Sequence, residues 1–260
     1  MDYRSASATA WSGIAFFTKR KKTMTIKEKM NTTKVSPLGT SKNISKLLGA
    51  AFLLQAIASL VATFLLTPLI VPGNITASMT NIANNVLQMR ASIVGEMITA
   101  IGIVILGVLL YITLKKQNMK IALVALGLYF IEAALLAASR IPAFSLLLIS
   151  QESVIAGHPA YLQTLGNLFY ESQSFGYDLH MLPFALGATL FYYLFFKSGF
   201  LPWVLSYWGL IAAPLALIGI LFALFGYDVP IVVFLPNLPF ELTIGVWLMV
   251  KGIRDGSETK

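Results

Sequence analysis

From residue 47 onward the chain reads as long apolar runs broken by short polar connections. Six of them, at 47–71, 91–114, 121–149, 175–196, 201–225 and 229–250, are long enough to cross a membrane. Crossing about 30 Å of hydrocarbon takes roughly 20 helical residues. None of the runs alternates polar and apolar positions with a period of two, and each is about twice the length of a barrel strand, so the pattern predicts helices and not a closed barrel. The run at 121–149 exceeds one crossing. It is expected to tilt, or to break at Pro142 and continue along the outer surface.

Two of the connections carry a helical period of their own. Ile75, Met79, Ile82, Val86 and Met89 recur at steps of three and four, with Asn81, Asn84, Asn85 and Gln88 between them. Tyr161, Leu162, Leu165, Leu168 and Phe169 repeat the pattern after Pro159, a residue suited to the start of a helix. Both segments predict amphipathic helices at the outer interface, either capping a cavity that opens outward or floating among the headgroups. Asn74-Ile75-Thr76 also matches a glycosylation acceptor, a pattern that is common by chance.

Charge adds orientation. Of the nineteen Lys and Arg, ten precede residue 47. Lys115, Lys116 and Lys120 lie between the second and third runs, Lys197 between the fourth and fifth, and Lys251, Arg254 and Lys260 after the last, making seventeen on one side. The other three connections hold none, apart from Arg90 at the start of the second run. By the positive-inside rule both termini are cytoplasmic. The expectation is an all-α integral membrane protein of the plasma membrane: a six-helix bundle over 45–253, preceded by a disordered basic tail at 1–44 and followed by a short cytoplasmic tail at 254–260. Residues 1–23 carry no run of spanning length and precede Met24 and Met30, so they are expected to be dispensable. Only 12% of the chain is charged, about half the share a water-facing surface needs. The net charge of +8 therefore reads as membrane topology and headgroup attraction, with the bilayer as partner and no nucleic acid. Cysteine is absent, which removes disulfides, thiolate metal sites and thiol nucleophiles.

Candidate chemistry lies inside the runs. An ionisable group at mid-membrane costs about 2.5–3.5 kcal/mol on insertion scales, so it normally faces protein or a wet cavity. Ser92, Glu96 and Thr99 share one helical stripe; so do Glu132, Leu136 and Ser139, and Asn237, Glu241 and Gly245; Gln55, Ser59, Thr63 and Thr67 form a fourth. These faces should meet in the interior, while the fifth run, without such a stripe, should be peripheral. From the helical rise, Glu96 lies roughly 9 Å and Glu241 about 18 Å below the outer ends of their spans, with Glu132 about 20 Å from the inner face. Arg140 and His180 are expected near the outer rim, with Arg140 reaching down to join Glu132 and Glu241 in one network. Pro236 and Pro239 flank Asn237 close to Glu241, and broken helix at that depth is tolerated beside a cavity. The candidate ligand or ion site is accordingly Glu96, Glu132, Arg140, His180, Asn237 and Glu241. Small residues at Ala134/Ala138 and Gly209/Ala213 predict close helix packing. Asp178 and His180 with Glu171 offer metal-ligand atoms, but a rim histidine beside acids is ordinarily just solvated, and no metal or cofactor is expected. Neither a zinc-protease helix, a serine-hydrolase elbow nor a phosphate loop is present.

The layout of 45–253 resembles the bacterial and archaeal membrane-protein family catalogued as domain of unknown function 4386. The resemblance rests on Arg90-Ala91-Ser92, Glu132-Ala133-Ala134, the stretch from Lys197 to Pro202, Leu238-Pro239-Phe240-Glu241, Trp247-Leu248 and Val250-Lys251-Gly252. Trp203 follows Pro202 where that family commonly has a basic residue. The resemblance implies six helices and no particular activity. Three readings remain: binding or transport of a small molecule or ion through an outward-biased polar pocket; a membrane enzyme using Glu132 or Glu241 as acid or base; and a scaffold whose polar seam is packing glue. Nothing in the pattern specifies a catalytic residue or an oligomeric state.

Overall fold

The computed structural model describes residues 41–253. The expected basic tail, up to residue 40, and the C-terminal tail 254–260 lie outside the described residues, whereas residues 41–44 are already helical. The elements are α1 (Ser41–Leu66), α2 (Ile75–Asn84), α3 (Val86–Leu114), α4 (Met119–Ala138), α5 (Arg140–Ile155), α6 (Ala160–Ser198), α7 (Trp203–Leu224) and α8 (Asn237–Val250). Short 3-10 turns stand at Thr67–Leu69 and Ile231–Val233, and no strand occurs among the described residues. Six segments are long and apolar enough to span a membrane, corresponding to the six apolar runs. Large apolar side chains such as Phe64, Ile101, Ile211 and Val250 stand exposed on the outside of the bundle. Such a surface is a liability in water and the natural outer face in lipid. The protein is a multi-pass helical membrane protein.

Helix packing closes a ring. α1 packs on α3, α3 on α4, α4 on α6, α6 on α7, α7 on α8 and α8 back on α1. Lipid supplies no hydrophobic force between helices, so close approach of backbones has to carry the packing. A Cβ at Gly49 of α1 would lie 2.5 Å from the carbonyl oxygen of Gly245 in α8, and one at Gly102 of α3 would lie 3.0 Å from the Gln55 Cβ. A Cβ at Gly209 would strike the Phe240 ring at 2.5 Å, in keeping with the small pair expected on α7. Ala134 and Ala138 are exposed, contrary to expectation. Their spacing is right, but they face away from the neighbouring helices.

Two hydrophobic cores result. The larger reaches the α3–α4 connection, at the end of the bundle labelled inner, and contains Phe52, Leu106, Tyr129, Phe191, Tyr192 and Phe240. A smaller one at the opposite end joins Leu69, Met79, Ile82, Met89, Ala143, Leu146 and Leu147. Asn74 caps α2, its Oδ1 accepting from the Ala77 N–H at 3.0 Å. The apolar face of α2 is then turned onto α5, with Met79 and Ile82 fully buried. That face packs against protein.

The long third run breaks at Ser139, three residues before Pro142, into α4 and α5. The two then run along α6, where a Cβ at Gly176 would lie 2.8 Å from the Ser139 Cβ. The α5–α6 turn uses left-handed backbone at Gly157 and His158 (φ 74° and 59°). It is closed by the His158 N–H donating to the Ser153 carbonyl at 2.7 Å. With 39 residues, α6 is roughly 58 Å long, nearly twice the hydrocarbon thickness of about 30 Å. The amphipathic segment expected as a separate helix near Tyr161–Phe169 is the outer part of α6, continuous with the fourth span. The last span is helical only from Asn237. Pro236 is its N-cap and Pro239 falls in its first turn, where a missing N–H costs no hydrogen bond. The proline pair therefore starts this helix inside the bundle.

Candidate functional site

Two cavities lie between the cores. The inner one, about 270 Å³, is lined by α1, α3, α4, α6 and the start of α8. Glu132 and Glu241 both line it, together with Gln55, His180 and Asn237, and all five are buried. Their partners differ. Gln55 Nε2 donates to Glu241 Oε2 at 2.9 Å, tying α1 to α8. Asn237 Nδ2 donates to the Ala212 carbonyl at 3.3 Å, tying α8 to α7. Glu132 Oε2 is buried and accepts from nothing. No Lys or Arg lines the wall that Glu132 shares with Glu241. The remaining wall is largely apolar, including Ile103, Leu136, Phe184 and Phe234. Tyr129, one turn from Glu132 on α4, packs edge-on against Phe191, with ring centroids 5.2 Å apart.

The outer cavity, about 340 Å³, is lined by Glu96, Arg140, Gln173 and Ser174, and by Thr67, Ile70 and Pro72 where α1 ends. Arg140 Nε and Nη2 donate to Ser139 Oγ at 3.1 and 2.9 Å. Glu96 Oε2 and Gln173 Oε1 are both buried without a hydrogen-bond partner. Thr63 and Tyr177 line both cavities. The Tyr177 ring lies beneath the Arg140 guanidinium, 5.8 Å from its centroid, and edge-on to the His180 ring at 4.6 Å. Tyr177 is thus a septum between the two.

The six expected site residues are all buried, but they divide into two groups. Glu132, Glu241, His180 and Asn237 face the inner cavity; Glu96 and Arg140 face the outer one. The expected single network of Arg140, Glu132 and Glu241 does not form. The break at Ser139 turns Arg140 toward α3 and α6, and Tyr177 stands between it and the inner acids. His180, expected at the rim, is buried because α6 continues well beyond it. Its Nδ1 is engaged by the Tyr177 carbonyl. Arg90 is exposed and sits over the Phe144 ring at 6.0 Å, outside both cavities. The grouping of Glu171, Asp178 and His180 does not assemble: among the described residues no three His, Asp or Glu side chains converge. No α7 residue lines either cavity, as the missing polar stripe predicts.

Sequence reasoning passed over the fourth span as a wall of the pocket. Gln173, Ser174 and Tyr177 recur at steps of one and three on α6, and with His180 they form a polar stripe like the four others. The long amphipathic stretch before them obscured it.

No curated protein and no solved structure matches the chain. The model of one family, described as domain of unknown function (DUF4386), matches residues 47–252. That stretch holds all six spanning segments apart from the first six residues of α1, and every residue of both cavities. By that match, over most of its length, the chain belongs to the DUF4386 family.

Proposed function

We propose that this is a binding or transport protein for a small organic cation, held in the inner cavity by Glu132 and Glu241. The observation that carries this reading is the make-up of one cavity wall. Two carboxyls face a cavity with no cationic side chain, and one of them, at Glu132 Oε2, has no donor. Packing glue accounts for Glu241, which is hydrogen-bonded to Gln55, but not for Glu132. A buried carboxylate without a counter-charge costs several kcal/mol, and a cation in the cavity offsets it. The apolar and aromatic remainder of the wall favours an alkylated ammonium over a hydrated metal ion, since aromatic faces attract such cations. The helix start at Asn237 beside the cavity supports movement of the solute, because interrupted helices commonly build transporter sites. The distribution of basic residues supports cytoplasmic termini in the plasma membrane, with the outer cavity facing outward.

The test uses purified protein in detergent, with tetramethylammonium as probe and tert-butanol as its neutral isostere. Thermal stabilisation by the ammonium alone is the expected outcome. Glu132→Gln should weaken it tenfold to about a hundredfold, the worth of a hydrogen bond or contact to a charged group. Equal stabilisation by tert-butanol, or none by either, would overturn the reading.

A further inference from the structure

We infer that the outer cavity is a second site, built for a zwitterion of the α-amino-acid type. It is lined by one basic and one acidic side chain, Arg140 and Glu96, around a space of about 340 Å³. No hydrogen bond joins the two among the described residues. Instead Glu96 Oε2 and Gln173 Oε1 are buried acceptors with no donor, each on a side chain only 4% exposed. Two vacant acceptors in one cavity call for a group rich in N–H donors. An ammonium has three. Arg140 supplies the complementary part. Its bonds to Ser139 engage Nε and Nη2 and leave Nη1 uncommitted for a carboxylate, the anion a guanidinium matches best.

The charge balance selects the dipolar ligand. A simple cation in this cavity would meet Arg140, and a simple anion would meet Glu96, so either would be buried beside a like charge. A molecule carrying both groups a few bonds apart satisfies both side chains and leaves the net charge unchanged. Leu66, Ile70 and Pro72, with the Tyr170 ring, form the apolar part of the wall, which suits an aliphatic side chain. The site is separate from the inner one because Tyr177 stands between the cavities, its ring held under Arg140 and against His180. The inference does not depend on the inner cavity binding a cation.

The experiment compares three molecules on the unaltered protein: L-leucine, its methyl ester, which lacks the carboxylate, and 4-methylpentanoate, which lacks the ammonium. Leucine at about a hundredfold excess over its Kd should raise the melting temperature by roughly 5–10 °C. Each analogue, short of one charged contact, should bind at least tenfold more weakly. Arg140→Gln should erase the preference for leucine over the ester, and Glu96→Gln the preference for leucine over the acid. If either variant fails to fold, the analogue series on the unaltered protein still decides. Binding of the ester or the acid as tightly as leucine, or no shift with any of the three, refutes the zwitterion site. Displacement of leucine by excess tetramethylammonium refutes its separateness from the inner cavity.

Discussion

Glu132 and Glu241 look alike in the sequence, each an acid in mid-span behind aromatic residues, yet their surroundings make them opposites. Glu241 is bonded to Gln55; Glu132 Oε2 is bonded to nothing. Glu241→Leu leaves the Gln55 amide without its acceptor and should destabilise the protein by about 1–3 kcal/mol. Glu132→Gln breaks no hydrogen bond and should be neutral or stabilising. Thermal unfolding in detergent distinguishes the two, and equal losses would mean that Glu132 is as structural as its neighbour. The Gln55→Leu/Glu241→Leu double mutant should recover part of the loss, with a coupling of about 0.6–1.7 kcal/mol, as for polar pairs between membrane helices. Tyr177 gives a sharper functional signature. Tyr177→Ala joins the two cavities, so leucine and tetramethylammonium should then compete, whereas in Tyr177→Phe, which keeps the septum, they should not. Equilibrium competition binding reads this directly.

At the scale of elements, glycine decides which helices touch. The Gly49–Gly245 contact lets α1 and α8 approach closely enough for Gln55 to reach Glu241, six residues further along α1. Gly49→Ala places a methyl group 2.5 Å from a backbone oxygen, which cannot rotate away. It should cost about 1–3 kcal/mol, as overpacking does. Ala134→Leu on the exposed face of α4 should stay within about 0.5 kcal/mol. Denaturation of the two variants side by side checks both. The sequence contained both kinds of small residue at similar spacing. Spacing alone shows that a helix has a small face, but the direction of that face depends on the neighbour. The break at Ser139 is similar. Pro142 announced an interruption, but the direction α5 takes afterwards is set by its packing along the overlong α6, and with it the side on which Arg140 emerges.

For the whole molecule, the distribution of basic residues makes a topological prediction that the absence of cysteine renders clean. Single cysteines introduced at the exposed positions Asn84 and Thr164 should react with an impermeant thiol reagent on intact cells. One at Lys116, between α3 and α4, should react only after the membrane is opened. Labelling of Lys116→Cys alone on intact cells would invert the assignment of inside and outside.

The sequence by itself determined that this protein lies in a membrane, how many times it can cross and which helix faces are polar. These properties follow from local quantities: the length of apolar runs against the thickness of hydrocarbon, and the periodicity of the polar residues within them. It also determined that the three mid-span acids would be buried, since they have nowhere else to go. The tertiary structure decided how those side chains are shared out. One anticipated pocket became two, because α6 brings Tyr177 between them and the turn at Ser139 takes Arg140 away from Glu132. Both effects depend on contacts between residues dozens of positions apart in the chain. Helical period fixes the angle of a side chain around its own axis, whereas the meeting of two stripes depends on the rotation, tilt and register of whole helices, which only their packing sets.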